Sequence, residues 1–153
     1  MNQESGILDG VELRLCKFQD LDQLGTIERN SFSYRPYGRT DFIWFLSSAP
    51  AGFVVACVND SPVGYVIAYG HPLGTGVIQS IAVLPEFRRR GIGRSLLNAA
   101  IEHLSACKRI ELLVERGNEG AISLYREFAF RETGRVIKRY YGEKDAIEFA
   151  RES

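Results

Sequence analysis

The 153-residue sequence predicts an α+β fold, with a mixed but mostly antiparallel sheet flanked by helices. Three observations carry that expectation. Three short runs rich in β-branched apolar residues follow one another across brief turns, the pattern of an antiparallel meander. Two stretches with helical apolar spacing precede that meander, and two follow it. Further strand signals stand near both ends, so the order reads β, α, α, β, β, β, α, β, α, β, β, unlike the regular alternation of a doubly wound sheet.

Residues 11–16, Val-Glu-Leu-Arg-Leu-Cys, alternate apolar and polar side chains as a half-buried strand does. Asp20 marks a helix start, and Leu21, Leu24, Ile27 and Phe32 continue at helical spacing until Ser33-Tyr34-Arg35-Pro36-Tyr37-Gly38 breaks it. Thr40 or Asp41 caps a second short helix carrying Phe42, Trp44, Phe45 and Leu46, which Ala49-Pro50 ends. The meander takes in residues 52–58, 63–69 and 77–84, with Asn59-Asp60-Ser61-Pro62 as its first turn and Pro85 closing it. Ile92, Leu96, Leu97, Ala100, Ile101 and Leu104 then mark one face of a helix over 91–106. Ile110, Leu112 and Val114 alternate as a strand, Asn118 caps a short helix through Tyr125, and 128–141 with 146–149 form a closing hairpin.

The length suits one domain over residues 1–153, with residues 1–10 flexible. Nineteen basic side chains balance nineteen acidic ones, which argues against a protein built to coat nucleic acid or an acidic membrane. Cys16, Cys57 and Cys107 stand far apart with no C-x-x-C pair or histidine cluster, so no metal site is expected and a reducing compartment is. The polar N-terminus lacks a leader pattern, and no apolar run nears the ~18 residues of a membrane helix, so a cytoplasmic location follows. His71 and His103 read as surface residues.

Chemistry concentrates at Ile81-Ala82-Val83-Leu84-Pro85-Glu86-Phe87-Arg88-Arg89-Arg90-Gly91-Ile92-Gly93-Arg94, a strand, a basic turn and a glycine-opened helix. A helix start offers unpaired N–H donors and a positive dipole end, glycine lets a phosphate approach the backbone, and arginine adds bidentate donors. The stretch therefore reads as an anion cradle. A Rossmann fingerprint would need glycine at Leu96, and a phosphate-binding nucleotidase loop would need Gly-Lys-Ser/Thr.

Arg88-Arg89-Arg90-Gly91-Ile92-Gly93 resembles the Gln/Arg-x-x-Gly-x-Gly/Ala motif of the GNAT superfamily of acetyl-CoA-dependent N-acetyltransferases. Residues 118–130, Asn-Glu-Gly-Ala-Ile-Ser-Leu-Tyr-Arg-Glu-Phe-Ala-Phe, are similar to its Asn-x-x-Ala-x-x-Leu-Tyr-x-x-x-Gly-Phe segment, with alanine in place of the glycine. Tyr140-Tyr141 and Asp145-Ala146 resemble a signature of the protein N-terminal acetyltransferases, the RimI-like and Ard-type enzymes. The resemblance implies a three-layer α/β/α sandwich and acetyl-CoA as cosubstrate, with no metal. It implies that backbone groups of Ile81, Ala82 and Val83 hold the pantetheine arm and acetyl carbonyl. Arg88, Arg89, Arg90, Gly91, Ile92, Gly93 and Arg94 would hold the pyrophosphate, Asn118 would contact the cofactor, and Tyr125 would protonate the departing thiolate. Tyr37, Tyr140 and Tyr141 would contact the substrate, although adjacent strand residues point oppositely, so only one of the last two is expected in a given cleft.

Two departures matter. The family's base positions are Leu113 and Val77 here, leaving Glu111 and Glu115, which flank Leu113 on one strand face, as base candidates. An α-amine with a pKa of about 7.8 is roughly a quarter neutral at cytoplasmic pH, whereas lysine near 10.4 is neutral about once in a thousand. Deprotonating lysine costs about 4 kcal/mol near pH 7.4, against well under 1 for an α-amine, so a weak base suits an N-terminal substrate. The expected activity is acetylation of the N-terminal α-amine of proteins or peptides by direct attack in a ternary complex. Alternatives are a small-molecule amine acetyltransferase and a non-catalytic acyl-CoA sensor, with a nucleic-acid module on the arginines a distant third. A monomer and a homodimer are both compatible with the sequence.

Overall fold

The computed structural model describes residues 10–153, and the expected flexibility of 1–10 falls almost wholly outside that range. Among the described residues there are seven strands and four α-helices. The first strand β1 (Val11–Leu15) leads through a turn of 3-10 helix to α1 (Leu21–Ser31) and α2 (Arg39–Ser48). Then come β2 (Phe53–Val58), β3 (Ser61–Gly70) and β4 (Thr75–Val83), followed by α3 (Ile92–His103), β5 (Arg109–Glu115), α4 (Glu119–Glu127), β6 (Arg131–Tyr141) and β7 (Lys144–Glu152). The predicted order holds throughout.

The strands form one sheet in the order β1-β2-β3-β4-β5-β7-β6. Every neighbouring pair is antiparallel except β4 with β5, whose connection carries α3 as a crossover. Side-chain alternation then sorts the layers. Tyr65 meets Phe42 of α2 edge-on, with ring centroids 5.5 Å apart, while a Cβ on its neighbour Gly64 would lie 3.2 Å from Leu96 of α3. Successive strand residues face opposite ways, so α1 and α2 cover one face and α3 the other. Helix α4 lies beside α3, with Arg126 stacked on Phe149 and Leu124 reaching Gly93. The three-layer sandwich is thus in place, and no helix among the described residues is long and apolar enough to cross a membrane.

Local boundaries differ from the sequence reading in ways that have physical causes. Asp20 does precede α1, but its carboxylate accepts the Lys17 N–H at 2.7 Å and pairs with Arg14 at 2.8 Å. Helix α2 begins at Arg39, before Thr40, because Asp41 accepts the Gly38 N–H at 2.8 Å from inside the first turn. Residues 128–130 turn instead of extending, and Ala129, at the glycine position of the motif, takes φ +71°. Helix α3 stops at His103, short of the predicted 106.

Candidate active site

Strand β4 pairs with β5 only over Thr75–Ile78 against Arg109–Leu112, yet β4 runs on to Val83 and β5 to Glu115. The two strands therefore part, and a wedge opens between them. Just before it, the β3–β4 register shifts so that Gln79 is an extra residue on β4, a bulge that adds local twist. Leu84 N–H donates to Val63 O at 2.8 Å. By alternation, Ala82 directs its amide at β3, and the amides of Ile81 and Val83 face the wedge. The structure separates three residues that the sequence reading grouped.

At the end of β4 the basic turn leads into α3. Gly91 is the N-cap, at φ +85°, a left-handed conformation that favours glycine. Gly93 is different. A Cβ there would find nothing closer than Leu124 at 3.9 Å and Val83 at 4.0 Å, so the protein's own packing does not require glycine. The space above it, next to the orphan first-turn N–H groups of α3, fits an anionic ligand. The arginines divide as well. Arg88 is exposed but tied to the body, donating from Nε to Val83 O at 2.9 Å and from Nη2 to Ser31 Oγ at 3.4 Å, which holds its guanidinium between β4 and α1. Arg90 stacks on Phe87, and Arg94 pairs with Glu127 at 3.0 Å and lies over Phe128. Arg89 holds φ +63° in the turn.

A family model described as the acetyltransferase (GNAT) family matches residues 18–130. The chain belongs to that family. An N-alpha-acetyltransferase of Saccharolobus solfataricus is 33% identical over 154 residues, covering 91% of this chain and 91% of its own. The solved structure of Arabidopsis thaliana Naa50 with the bisubstrate analogue CoA-Ac-MVNAL is similar at a TM-score of 0.82 and 26% identity, covering 94% of this chain and 99% of that one. Ard1 from Thermoplasma volcanium shares the fold at a TM-score of 0.86 and 23% identity, with 94% and 97% covered.

The other GNAT motif elements lie on α4, which follows β5 at the end that parts from β4. Asn118 caps α4, its side chain accepting the Ala121 N–H at 3.3 Å. Tyr125 is buried against Phe130, and burial raises its phenol to about 12. Tyr141 senses Tyr125: its phenol is pushed up by burial first, then by Tyr140, Tyr125, Tyr37 and Glu115.

On the open side, a cavity of about 250 Å³ lies between residues 29–34 and a wall made by Glu115 and Tyr141. Glu115 also meets Lys144 Nζ at 3.3 Å. Glu111 sits lower, opposite Val77 where β4 and β5 are still paired, and is bound by Arg109 Nε at 2.8 Å. Of the two base candidates, only Glu115 reaches the cavity. Of Tyr140 and Tyr141, only Tyr141 lines the cavity, as expected, but Tyr140 does not point away from it. Their rings pack edge-on at 4.9 Å, and Tyr140 comes second to burial in raising the Tyr69 phenol across the cleft. The cause is a register shift in which β6 advances from Ile137 to Tyr141 while β7 advances from Ala146 to Lys144, with Arg139 at φ +55°.

Sequence reasoning missed a polar group under this cleft. Glu28, Tyr65, Ser80, Gln79 and Tyr69 join Tyr37 in one hydrogen-bonded set. A signal was available, since Glu28 lies four residues after Leu24 on the apolar stripe of α1.

Proposed function

We propose that this enzyme transfers the acetyl group of acetyl-CoA to the N-terminal α-amine of a polypeptide. The observation that carries the reading is the wedge between β4 and β5, which joins an anion cradle on one side to a polar, aromatic-walled cavity on the other. The N-alpha-acetyltransferase identity of its relatives supports the substrate class. Three buried free thiols suit a reducing cytoplasm.

Acetyl-CoA supplies an activated thioester. The α3 N-terminus, Gly93 and the side chains of Arg89 and Arg94 bind its pyrophosphate, and the wedge-facing amides of Ile81 and Val83 hold its arm and steady the carbonyl oxygen. The substrate enters past Tyr37, Tyr140 and Tyr141, and its amine reaches the thioester already oriented. Tyr125 presents a neutral phenol to the departing sulfur. Because burial raises its phenol to about 12, above a free thiol, Tyr125 acts chiefly as a hydrogen-bond donor to developing thiolate charge. Glu115 collects the amine proton directly or through water, and the α-amine's own low pKa keeps that demand small.

Two matched peptides test this reading, one with a free N-terminus and blocked lysines, the other with a blocked N-terminus and a free lysine. Release of free thiol from acetyl-CoA should be roughly 10²- to 10³-fold faster with the first at neutral pH, the ratio of neutral amine fractions. Equal or faster turnover of the lysine peptide overturns the substrate assignment.

A further inference from the structure

Glu28 is 3% exposed, and the chemistry above does not use it. Burial raises its pKa, against hydrogen bonds from Tyr37 and Tyr65 that favour the ionised form, and Asp41 on α2 pushes it further up. A carboxylate removed from water in this way is retained only where its oxygens have definite partners. Both have one. Glu28 Oε2 accepts the backbone N–H of Tyr37 at 2.9 Å, and Oε1 accepts the hydroxyl of Tyr65.

Those two bonds lead to one place. Tyr65 is fully buried, and its oxygen also meets Ser80 Oγ at 3.0 Å. Tyr37 is fastened a second time through its own hydroxyl, which accepts from Gln79 Nε2 at 2.8 Å, while Gln79 Oε1 accepts from Tyr69 at 2.8 Å. The segment between α1 and α2 is therefore tied at a backbone amide and at a phenol, and both ties end on consecutive residues of β4. Gln79 is the bulge, and the pair opens the stretch that parts from β5.

Resting on the N-terminal acetylation reading, we infer that Glu28 is a positioning residue for the peptide: it fixes the α1–α2 segment at a set height over the wedge, so that the wall carrying Tyr37 meets the incoming chain already placed. The cofactor cradle has no share in this network, since none of its ties reaches α3 or the basic turn. The wall and the cradle should respond separately to its loss.

The test compares Glu28→Ala and Glu28→Gln with the unaltered enzyme. In Glu28→Ala the peptide KM should rise about tenfold, the size of losing one hydrogen bond to a charged acceptor, while kcat and acetyl-CoA affinity stay within about threefold. Glu28→Gln should recover most of that loss, because an amide oxygen still accepts the Tyr37 N–H. Amide hydrogen exchange across residues 33–41 should quicken in Glu28→Ala and not in Glu28→Gln. Gln79→Ala, which cuts the second tie from a less buried position, should give the same KM effect at about threefold and covers the case where Glu28→Ala fails to fold. Unchanged peptide KM and unchanged exchange in a folded variant overturn the positioning role. So does a 10²-fold loss of kcat in Glu28→Gln with a displaced pH profile, which would place Glu28 on the proton path. The exchange measurement needs no peptide, so it stands even if N-terminal peptides prove not to be the substrate.

Discussion

The cradle at the start of α3 and the wall around the cavity meet at one wedge, but they are made of different material. The cradle is backbone: first-turn amides, a glycine in the left-handed region, and a strand edge left unpaired by β5. Its geometry comes from consecutive residues. The wall is side chain: α1 and the segment after it face Glu115 of β5 and Tyr141 of β6 across the cavity, and the network that ties the segment down draws on β3 and β4, groups that come together only after folding. Backbone sites bind what every enzyme of the family must bind, a common cofactor, whereas side-chain walls can change one residue at a time and so carry the choice of substrate.

The sharpest way to break that division is at Tyr125, which the proposed mechanism puts where the two halves join. Tyr125→Phe keeps the ring that packs on Phe130 and removes the donor, so kcat should fall about 10²-fold with little change in acetyl-CoA affinity or peptide KM. The pH dependence has a definite sign. Because burial raises this phenol to about 12, it stays protonated as pH rises, and wild-type kcat should show no alkaline decline below about pH 10. Stopped-flow turnover across pH 6 to about 10 checks both statements. Full activity in the phenylalanine variant would return Tyr125 to a packing role.

Within the cradle, two glycines two residues apart separate fold from function. Gly93→Ala places a methyl group where the protein has open space and the ligand does not, so acetyl-CoA should bind about tenfold more weakly at unchanged Tm, in line with the ~1–3 kcal/mol of forced contacts. Gly91→Ala instead strains a residue at φ +85°, at about 1–2 kcal/mol, and should lower Tm. Calorimetry on the pair reads the contrast. Equal affinity in Gly93→Ala and wild type would mean that the cradle lies elsewhere.

The same contrast explains what could be read from the sequence. Strand and helix order followed from periodicity, and the cradle from a contiguous motif whose glycines and arginines announce their chemistry. Even there, Arg88 looked like its neighbours and differs only because Val83 O and Ser31 lie within its reach after folding. The pairing of Tyr140 with Tyr141 was hidden by a register shift in β6, since alternation assumes a regular strand. The Glu28 network was hidden for a different reason: its members span residues 28 to 80, and nothing in local spacing joins α1 to the bulge of β4.

The smallest expected effect is on the wall's carboxylates, and it sharpens the comparison because the positions where the family resemblance leads one to expect a base hold Val77 and Leu113. Glu111→Gln should leave kcat/KM nearly unchanged: its carboxylate is held by Arg109 below the wedge, and losing a half-exposed pair costs only about 0–1 kcal/mol of stability. Glu115→Gln should cost less than tenfold, since Glu115 borders the cavity but shares its charge with Lys144, and the ~10²-fold of a dedicated base is not at stake. If the substrate's own ionisation governs the rate, kcat/KM should climb with pH through an apparent value of about 8 in wild type and in both variants alike. A 10²-fold loss confined to Glu115→Gln, with the climb displaced, would instead make Glu115 a dedicated base and the wall a catalytic element as well as a selective one.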